Sequence, residues 1–209
     1  MQYYDISLKL SADTVRWVTS PPFELNERRR MRNGDPNNSS AINMSVHSGT
    51  HIDAPFHFVA EGATIDELPL ELFIGPALVH AVDAERYITK EHVAEIPLQG
   101  ETRVLFKTHN SQLLQGSEYD PDFAAFSVEA AEALAEKGVK LVGLDYLSVA
   151  HAEEQVAVHR AFLDNGIIPL EGVDLSAVEP GRYELICLPI RLQGSDGAPC
   201  RAVLRGPID

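Results

Sequence analysis

The chain has 209 residues, 44% of them hydrophobic and 23% charged, the balance of an ordinary globular protein. Seventeen Lys and Arg face 31 Asp and Glu, for a formal net charge of −14. That excess argues against nucleic acid or an anionic membrane as partner, since either wants a basic face. The length predicts one domain over 1–209, with a core large enough to need no covalent staples.

Residues 2–10 alternate loosely and predict a first strand. Ser20-Pro21-Pro22 then interrupts any regular structure. Residues 26–40 are polar and rich in turn formers, so an exposed loop or arm is expected around 20–40. Arg28, Arg29, Arg30 and Arg32 form a dense basic cluster there. It reads as a solvated or salt-bridged surface, with an anion-reading lid as the alternative. A short apolar run at 41–46 leads into a histidine-rich stretch, and 61–64 looks like a turn.

Residues 76–83 predict a buried strand, Thr89 caps a short helix through about Ile96, and 102–108 alternate as a strand. Ser127 caps a helix over 128–137, rich in strong helix formers and ended by Gly138. Residues 139–145 predict a buried strand, and 166–170, 183–188 and 201–205 three more. Two helices and about eight strands in mixed order predict an α/β protein with a mixed, largely antiparallel sheet.

Cys187 and Cys200 are too few for a disulfide framework and lack CxxC spacing. The opening MQYYDISLKL has no basic start followed by an apolar core. No apolar run approaches the roughly 18 residues that span a bilayer. A cytoplasmic location is expected.

The chemistry concentrates in His47-Ser48-Gly49-Thr50-His51-Ile52-Asp53-Ala54-Pro55-Phe56-His57. Gly49 and Pro55 argue against a helix here. The offsets 0, 4, 6 and 10 are all even, so an extended chain would point all four side chains one way. Extended, however, 47 to 51 would span about 13 Å, too far to share one metal. The chain must bend, and Gly49 is where a bend costs least. Pro55 would then fix the approach of His57.

Imidazole with carboxylate suits Zn²⁺, Mn²⁺ or Fe²⁺ better than Ca²⁺. One segment leaves such a site incomplete. His151, His159 and Glu171 are the candidates to complete it, and Glu171 follows the apolar run GIIPL, where a carboxylate needs a partner. His80, His92 and His109 read as ordinary core or surface histidines.

HSGTHIDAPFH closely resembles the HxGTHxDxPxH signature of the cyclase, or metal-dependent hydrolase, family, which includes bacterial kynurenine formamidase (arylformamidase) and isatin hydrolase. The resemblance extends to the opening DIS at 5–7, EGATIDELPL at 61–70, GLD at 143–145 and LPIRLQGSDGAPCRAVLR at 188–205. It implies a compact swivelling β/β/α fold working as a homodimer or homotetramer. It implies a centre of one or two divalent ions, with Zn²⁺ favoured over Mn²⁺. His47, Asp53, His159 and Glu171 would bind one metal, and His51 a second bridged by Asp53 and Glu171. His57 would carry the proton.

Two departures fall outside that ligand set. Kynurenine formamidases usually carry Pro-Gly-Asp after an early aromatic, where Trp17 is followed by Val18-Thr19-Ser20. They also tend to carry Asp-Thr-Pro-Ser where this chain has Asp145-Tyr146-Leu147-Ser148. The expected activity is metal-dependent hydrolysis of an aryl amide, arylformamidase-like, from N-formylkynurenine to kynurenine plus formate. A cyclic-amide or lactone hydrolase resembling isatin hydrolase is the alternative. Trp17, Phe23 and Phe58 are candidate walls for an aromatic substrate. A binding module without turnover would have no use for His57, and a structural zinc would be closed by four ligands, usually including Cys.

Overall fold

The computed structural model describes residues 1–116 and 118–208. Its strands and helices are β1 Gln2–Asp5, β2 Glu24–Arg29, β3 Ser39–Asn43, β4 His51–Asp53, β5 Ile74–Ala81, β6 Tyr87–Ile88, α1 Lys90–Ala94, β7 Arg103–Lys107, α2 Asn110–Leu113, β8 Ala125–Phe126, α3 Val128–Glu136, β9 Leu141–Leu144, α4 Gln155–Leu163, β10 Ile168–Glu171, β11 Gly181–Ile186, β12 Gly197–Pro199 and β13 Val203–Gly206. Nine strands form one sheet, ordered β1-β13-β11-β5-β7-β9-β10-β4-β12. The central β5, β7, β9 and β10 run parallel. The outer neighbours pair antiparallel, which makes the sheet mixed and mostly antiparallel.

The central strands are apolar because both faces are covered. Val104 and Phe106 of β7 pack into one core with Phe126, Leu134 of α3 and Phe162 of α4. Leu105, between them in sequence, faces a second core with Ile52, Phe73, Leu170 and Leu185. This alternation on a strand buried from both sides explains why Val104, Leu105 and Phe106 are all fully buried. The Ser127 hydroxyl accepts the Ala130 N–H and starts α3 as expected.

Two expectations need correction. The sequence predicts two helices, whereas the structure has four among the described residues. The overlooked α4 opens without a side-chain cap, at Glu154. Only Val158, His159, Phe162 and Leu163 bury along it, so its apolar stripe is thin and interrupted by a histidine. The first strand ends at Asp5 rather than running to residue 10, and the Asp5 carboxylate accepts the Ser7 N–H there.

Over 24–43 the chain forms a two-stranded ribbon, β2 against β3, with Leu25 opposite Ile42. Arg30 and Arg32 on it both pair with Glu27. No helix among the described residues is long and apolar enough to cross a membrane.

The sheet order brings β4 between β10 and β12. Glu171 lies opposite His51, and Gly197 opposite Asp53. Just beyond β10, Gly172 holds a φ of +68°, and a Cβ there would come 2.3 Å from the Gly49 carbonyl oxygen. Only glycine allows this approach, which presses the end of β10 against the turn preceding β4. Gly172→Ala combines left-handed strain with a backbone clash and should cost about 2–3 kcal/mol. The measurement is urea unfolding followed by far-UV circular dichroism. A midpoint equal to that of the unaltered protein would show that the contact relaxes freely.

Candidate metal centre

His51 and Asp53 are two residues apart on β4, so their side chains share a face. His47 precedes them across a turn at Gly49, whose φ is +65°. His57 follows on a 3₁₀ turn that Pro55 opens. The bend falls at Gly49, while the even spacing sets a shared strand face only for His51 and Asp53, the two residues on β4. Glu171 arrives from neighbouring β10, and His159 from α4 beneath it.

Four of these groups are essentially sealed from solvent, with Asp53 0%, His51 1%, His159 1% and Glu171 3% exposed. His51 Nε2 lies 3.2 Å from Glu171 Oε2 and 3.5 Å from Asp53 Oδ1. His159 Nε2 lies 3.3 Å from Glu171 Oε1 and 3.5 Å from Asp53 Oδ2. Nδ1 of His47 is 2.8 Å from Asp53 Oδ1. Candidate ligand atoms form three groups, His47 with His51 and Asp53, Asp53 with His159 and Glu171, and the more exposed His47 with His57 and Asp196, so Asp53 joins the two buried groups. His51 also reaches Glu171.

The rear nitrogens explain the orientation of the rings. His51 Nδ1 lies 2.9 Å from the Gly49 carbonyl oxygen, and His159 Nδ1 lies 2.7 Å from that of Gln155. A carbonyl accepts only from N–H, so in a neutral ring the lone pair is left on Nε2, facing the carboxylates. Yet His51 Nε2 and Asp53 Oδ2 are buried with no aligned hydrogen-bond partner. Their neighbours sit 3.2–3.5 Å away but do not point at them. Ligand atoms around a tetrahedral zinc at about 2.1 Å lie about 3.4 Å from one another. The separations, the orphaned atoms and the donor types therefore fit a divalent metal.

Electrostatics agree with that arrangement. Burial would raise the Asp53 carboxyl, but His159 and His47 hold it well below the carboxylate range. Burial and the neighbouring Asp53 push Glu171 up, yet His159 and His51 bring it net below its usual value. Burial works to lower His47, but Asp53 and Asp196 raise it to about 9. His159 is likewise raised to about 10 by Asp53 and Glu171 against its burial. His57 differs, because its burial dominates and holds its pKa below the usual 6.5.

His57 is half-buried and stacks on His47, with ring centroids 4.0 Å apart. It faces a cavity of about 290 Å³ whose floor holds His47, His159 and Glu171. Trp17, Thr19, Ser20, Leu147 and Ser148 wall the cavity. Both departures from the kynurenine formamidase pattern thus contribute to the cavity wall, through Thr19 and Ser20 and through Leu147. Phe58 also lines it and stacks on His159 at 4.3 Å. Phe23 is not among the lining residues; it directly precedes β2, where the chain enters the ribbon.

His151 is buried apart from the carboxylates, between Tyr87 and Phe123, with Nε2 donating to the Arg86 carbonyl. None of the ribbon arginines lines the cavity. Two participants escaped sequence reasoning. Gln155 lines the cavity and donates from its amide to Ser148 Oγ and the Ala150 carbonyl. Asp196 Oδ2 lies 2.9 Å from His47 Nε2. The only sequence signal for Asp196 is its place within the family-like stretch 188–205.

A family model described as "Putative cyclase" matches residues 4–151. A kynurenine formamidase of Salinibacter ruber is 39% identical over 213 residues, covering all of both chains. Cyclase-like protein 1 of Arabidopsis thaliana is 42% identical, over 96% of this chain and 84% of the relative. Among solved structures, a potential metal-dependent hydrolase with cyclase activity superposes with a TM-score of 0.84 at 32% identity, over 99% of each chain. An isatin hydrolase bound to thioisatinate shares the fold, with a TM-score of 0.85 at 19% identity over 99% of this chain and 93% of its own. With a family model matched over most of its length and a full-length relative at 39% identity, the chain belongs to the cyclase family.

Proposed function

We propose that the protein is a metal-dependent amidohydrolase of the arylformamidase type, cleaving N-formylkynurenine to kynurenine and formate. One observation carries this reading. Buried histidine and carboxylate atoms converge, with His51 Nε2 and Asp53 Oδ2 left without a hydrogen-bond partner, and the half-buried His57, which reaches His47 and Asp196 rather than the buried carboxylates, faces the adjoining cavity. His47, His51, Asp53, His159 and Glu171 are the proposed ligands for one or two ions, Zn²⁺ before Mn²⁺ given three imidazoles. Such an ion supplies a Lewis acid for the amide carbonyl and acidifies water.

The remaining work falls to the chain. Trp17 and Phe58 offer aromatic faces to an aryl group, and the cavity's size suits a small aromatic amide. His57 is neutral near pH 7, with Nδ1 turned toward Asp196, 3.5 Å away. Nε2 then accepts a proton from attacking water and returns it to the leaving nitrogen. That return matters because an amine leaves poorly unless protonated.

The two departures at Trp17-Val18-Thr19-Ser20 and Leu147 favour a second reading, a cyclic-amide or lactone hydrolase. The proposal includes a cytoplasmic homodimer or homotetramer, supported by the exposed Leu25 and Ile42 pair on the ribbon. Metal analysis of purified protein with hydrolysis assays on N-formylkynurenine, formylanilide and isatin tests both readings. Stoichiometric metal with turnover of formylkynurenine is expected. Turnover of isatin alone would select the second reading, and a metal-free active protein would sink both.

His57→Ala should keep the metal while turnover falls about 10²–10⁴-fold. The loss should be greatest for amides with the most basic leaving amine, and smaller for activated aryl esters. Loss of metal along with activity would make His57 a ligand instead.

A pH dependence arises from the same centre. In chelator-stripped protein, His47 and His159 are held protonated by their carboxylates, to about 9 and about 10. Their folded values exceed the usual 6.5, so this stabilisation is complete below pH 6.5. It is lost as pH rises through 9 and 10. Metal binding needs the neutral rings and strengthens over that same range. Calorimetry should show the melting-temperature gap between loaded and stripped protein widening from pH 6.5 to 10. A constant gap would show that these protons and the metal do not compete.

A further inference from the structure

Three histidines face Asp53 and Glu171, and each has an acceptor behind it. For His51 and His159 that acceptor is a backbone carbonyl, of Gly49 and Gln155. For His47 it is a side chain, since Asp196 Oδ2 lies 2.9 Å from Nε2 while Nδ1 faces Asp53 Oδ1 at 2.8 Å. A neutral imidazole carries one N–H and one lone pair. To offer the Nδ1 lone pair inward, His47 must keep its proton on Nε2, and Asp196 is the group there to accept it.

The carboxylate is itself held in place. The Ala54 N–H donates to the Asp196 carbonyl at 2.9 Å, and the Ile65 N–H donates to the Ser195 carbonyl at 3.0 Å. Gly197 pairs with Asp53 across the β12–β4 ladder. A Cβ at Gly197 would come 2.8 Å from both His47 Cε1 and the Ile52 carbonyl oxygen. The His47 ring therefore rests on bare backbone beside the carboxylate that meets its rear nitrogen. The same Asp196 oxygen lies 3.5 Å from His57 Nδ1, on the ring stacked over His47.

We infer that Asp196 is a positioning residue, fixing the tautomer and tilt of His47 for metal binding and steadying the stacked His57. This deepens the metal-hydrolase reading and rests on it. Asp196 groups with His47 and His57 rather than with the buried carboxylates Asp53 and Glu171, and its side chain is 42% exposed. Its effect is to orient a ligand rather than to complete the ligand set.

The test compares unaltered protein with Asp196→Asn and Asp196→Ala, each loaded with Zn²⁺ and titrated with a competing chelator. Removing a carboxylate behind a ligating histidine typically weakens metal binding 10–100-fold. A loss of about 10-fold is expected for Asn, which can still accept one hydrogen bond, and up to about 100-fold for Ala. Cobalt-substituted samples supply a second readout. The d–d absorption bands should keep their positions and intensity, because the ligand count is unchanged. Steady-state assays at saturating metal should show kcat reduced and KM preserved. Zn²⁺ affinity within twofold of the unaltered protein overturns the inference, and where Ala fails to fold, the isosteric Asn decides. Cobalt bands shifted to a lower coordination number also overturn it, by making Asp196 a ligand. If the unaltered protein itself holds no Zn²⁺, the metal-hydrolase reading fails rather than this one.

Discussion

Two carboxylates buried side by side constrain this fold more than any other feature. Asp53 and Glu171 are sealed from solvent on adjacent strands, and each stays ionised. Taking one such charge out of water costs several kcal/mol, and placing two together adds repulsion. Positive charge must lie between them. Protonated His47 and His159 can supply it, and so can a divalent ion with neutral imidazoles around it. The same atoms serve both states, which ties the centre to pH and to metal at once.

That constraint reaches outward through the sheet. β4 is three residues long, yet it is flanked by β10 and β12, so both carboxylates and the Asp196 loop arrive by strand pairing. The close contact of Gly172 with Gly49 tightens the seam between β10 and the turn that delivers His47. Paired strands carry His51, Asp53 and Glu171, backbone carbonyls meet the rear nitrogens of His51 and His159, and loops supply much of the cavity wall. This division suits a site whose geometry must survive substrate entry.

The ligand segment was legible because its information is local. Even spacing put His51 and Asp53 on one face of a strand, and the reach of an extended chain forced a bend that Gly49 supplies. Glu171 was legible as a carboxylate ending an apolar strand, and helix α3 by its Ser127 cap. Asp196 was not, because its role arises from pairing between β12 and a strand about 145 residues earlier in the chain. Helix α4 was missed for a related reason. His159 interrupts its apolar face, and that burial makes sense only once two carboxylates are known to lie against it. Phe23 is the opposite case, since its residue type suits an aromatic wall but it sits just ahead of β2 and is not among the residues lining the cavity.

The distribution of these departures bears on how chemistry and specificity are separated. The segment from His47 through His57, which supplies His47, His51 and Asp53 to the buried cluster, matches the family signature at every fixed position. The segments that differ, Val18-Thr19-Ser20 and Tyr146-Leu147, lie on a loop before the ribbon and on the turn after β9. Both contribute to the cavity wall, through Thr19, Ser20 and Leu147, and neither supplies an atom to the ligand clusters. Exchanging Pro-Gly-Asp for Val-Thr-Ser replaces a charged, turn-forming segment with small hydroxyls. That alters which polar groups a substrate meets while leaving the buried charges unperturbed. A wall on loops tolerates such exchange, because few backbone hydrogen bonds depend on it. His51, Asp53 and Glu171 on paired strands do not, because moving one carboxylate strands the other without a counter-charge.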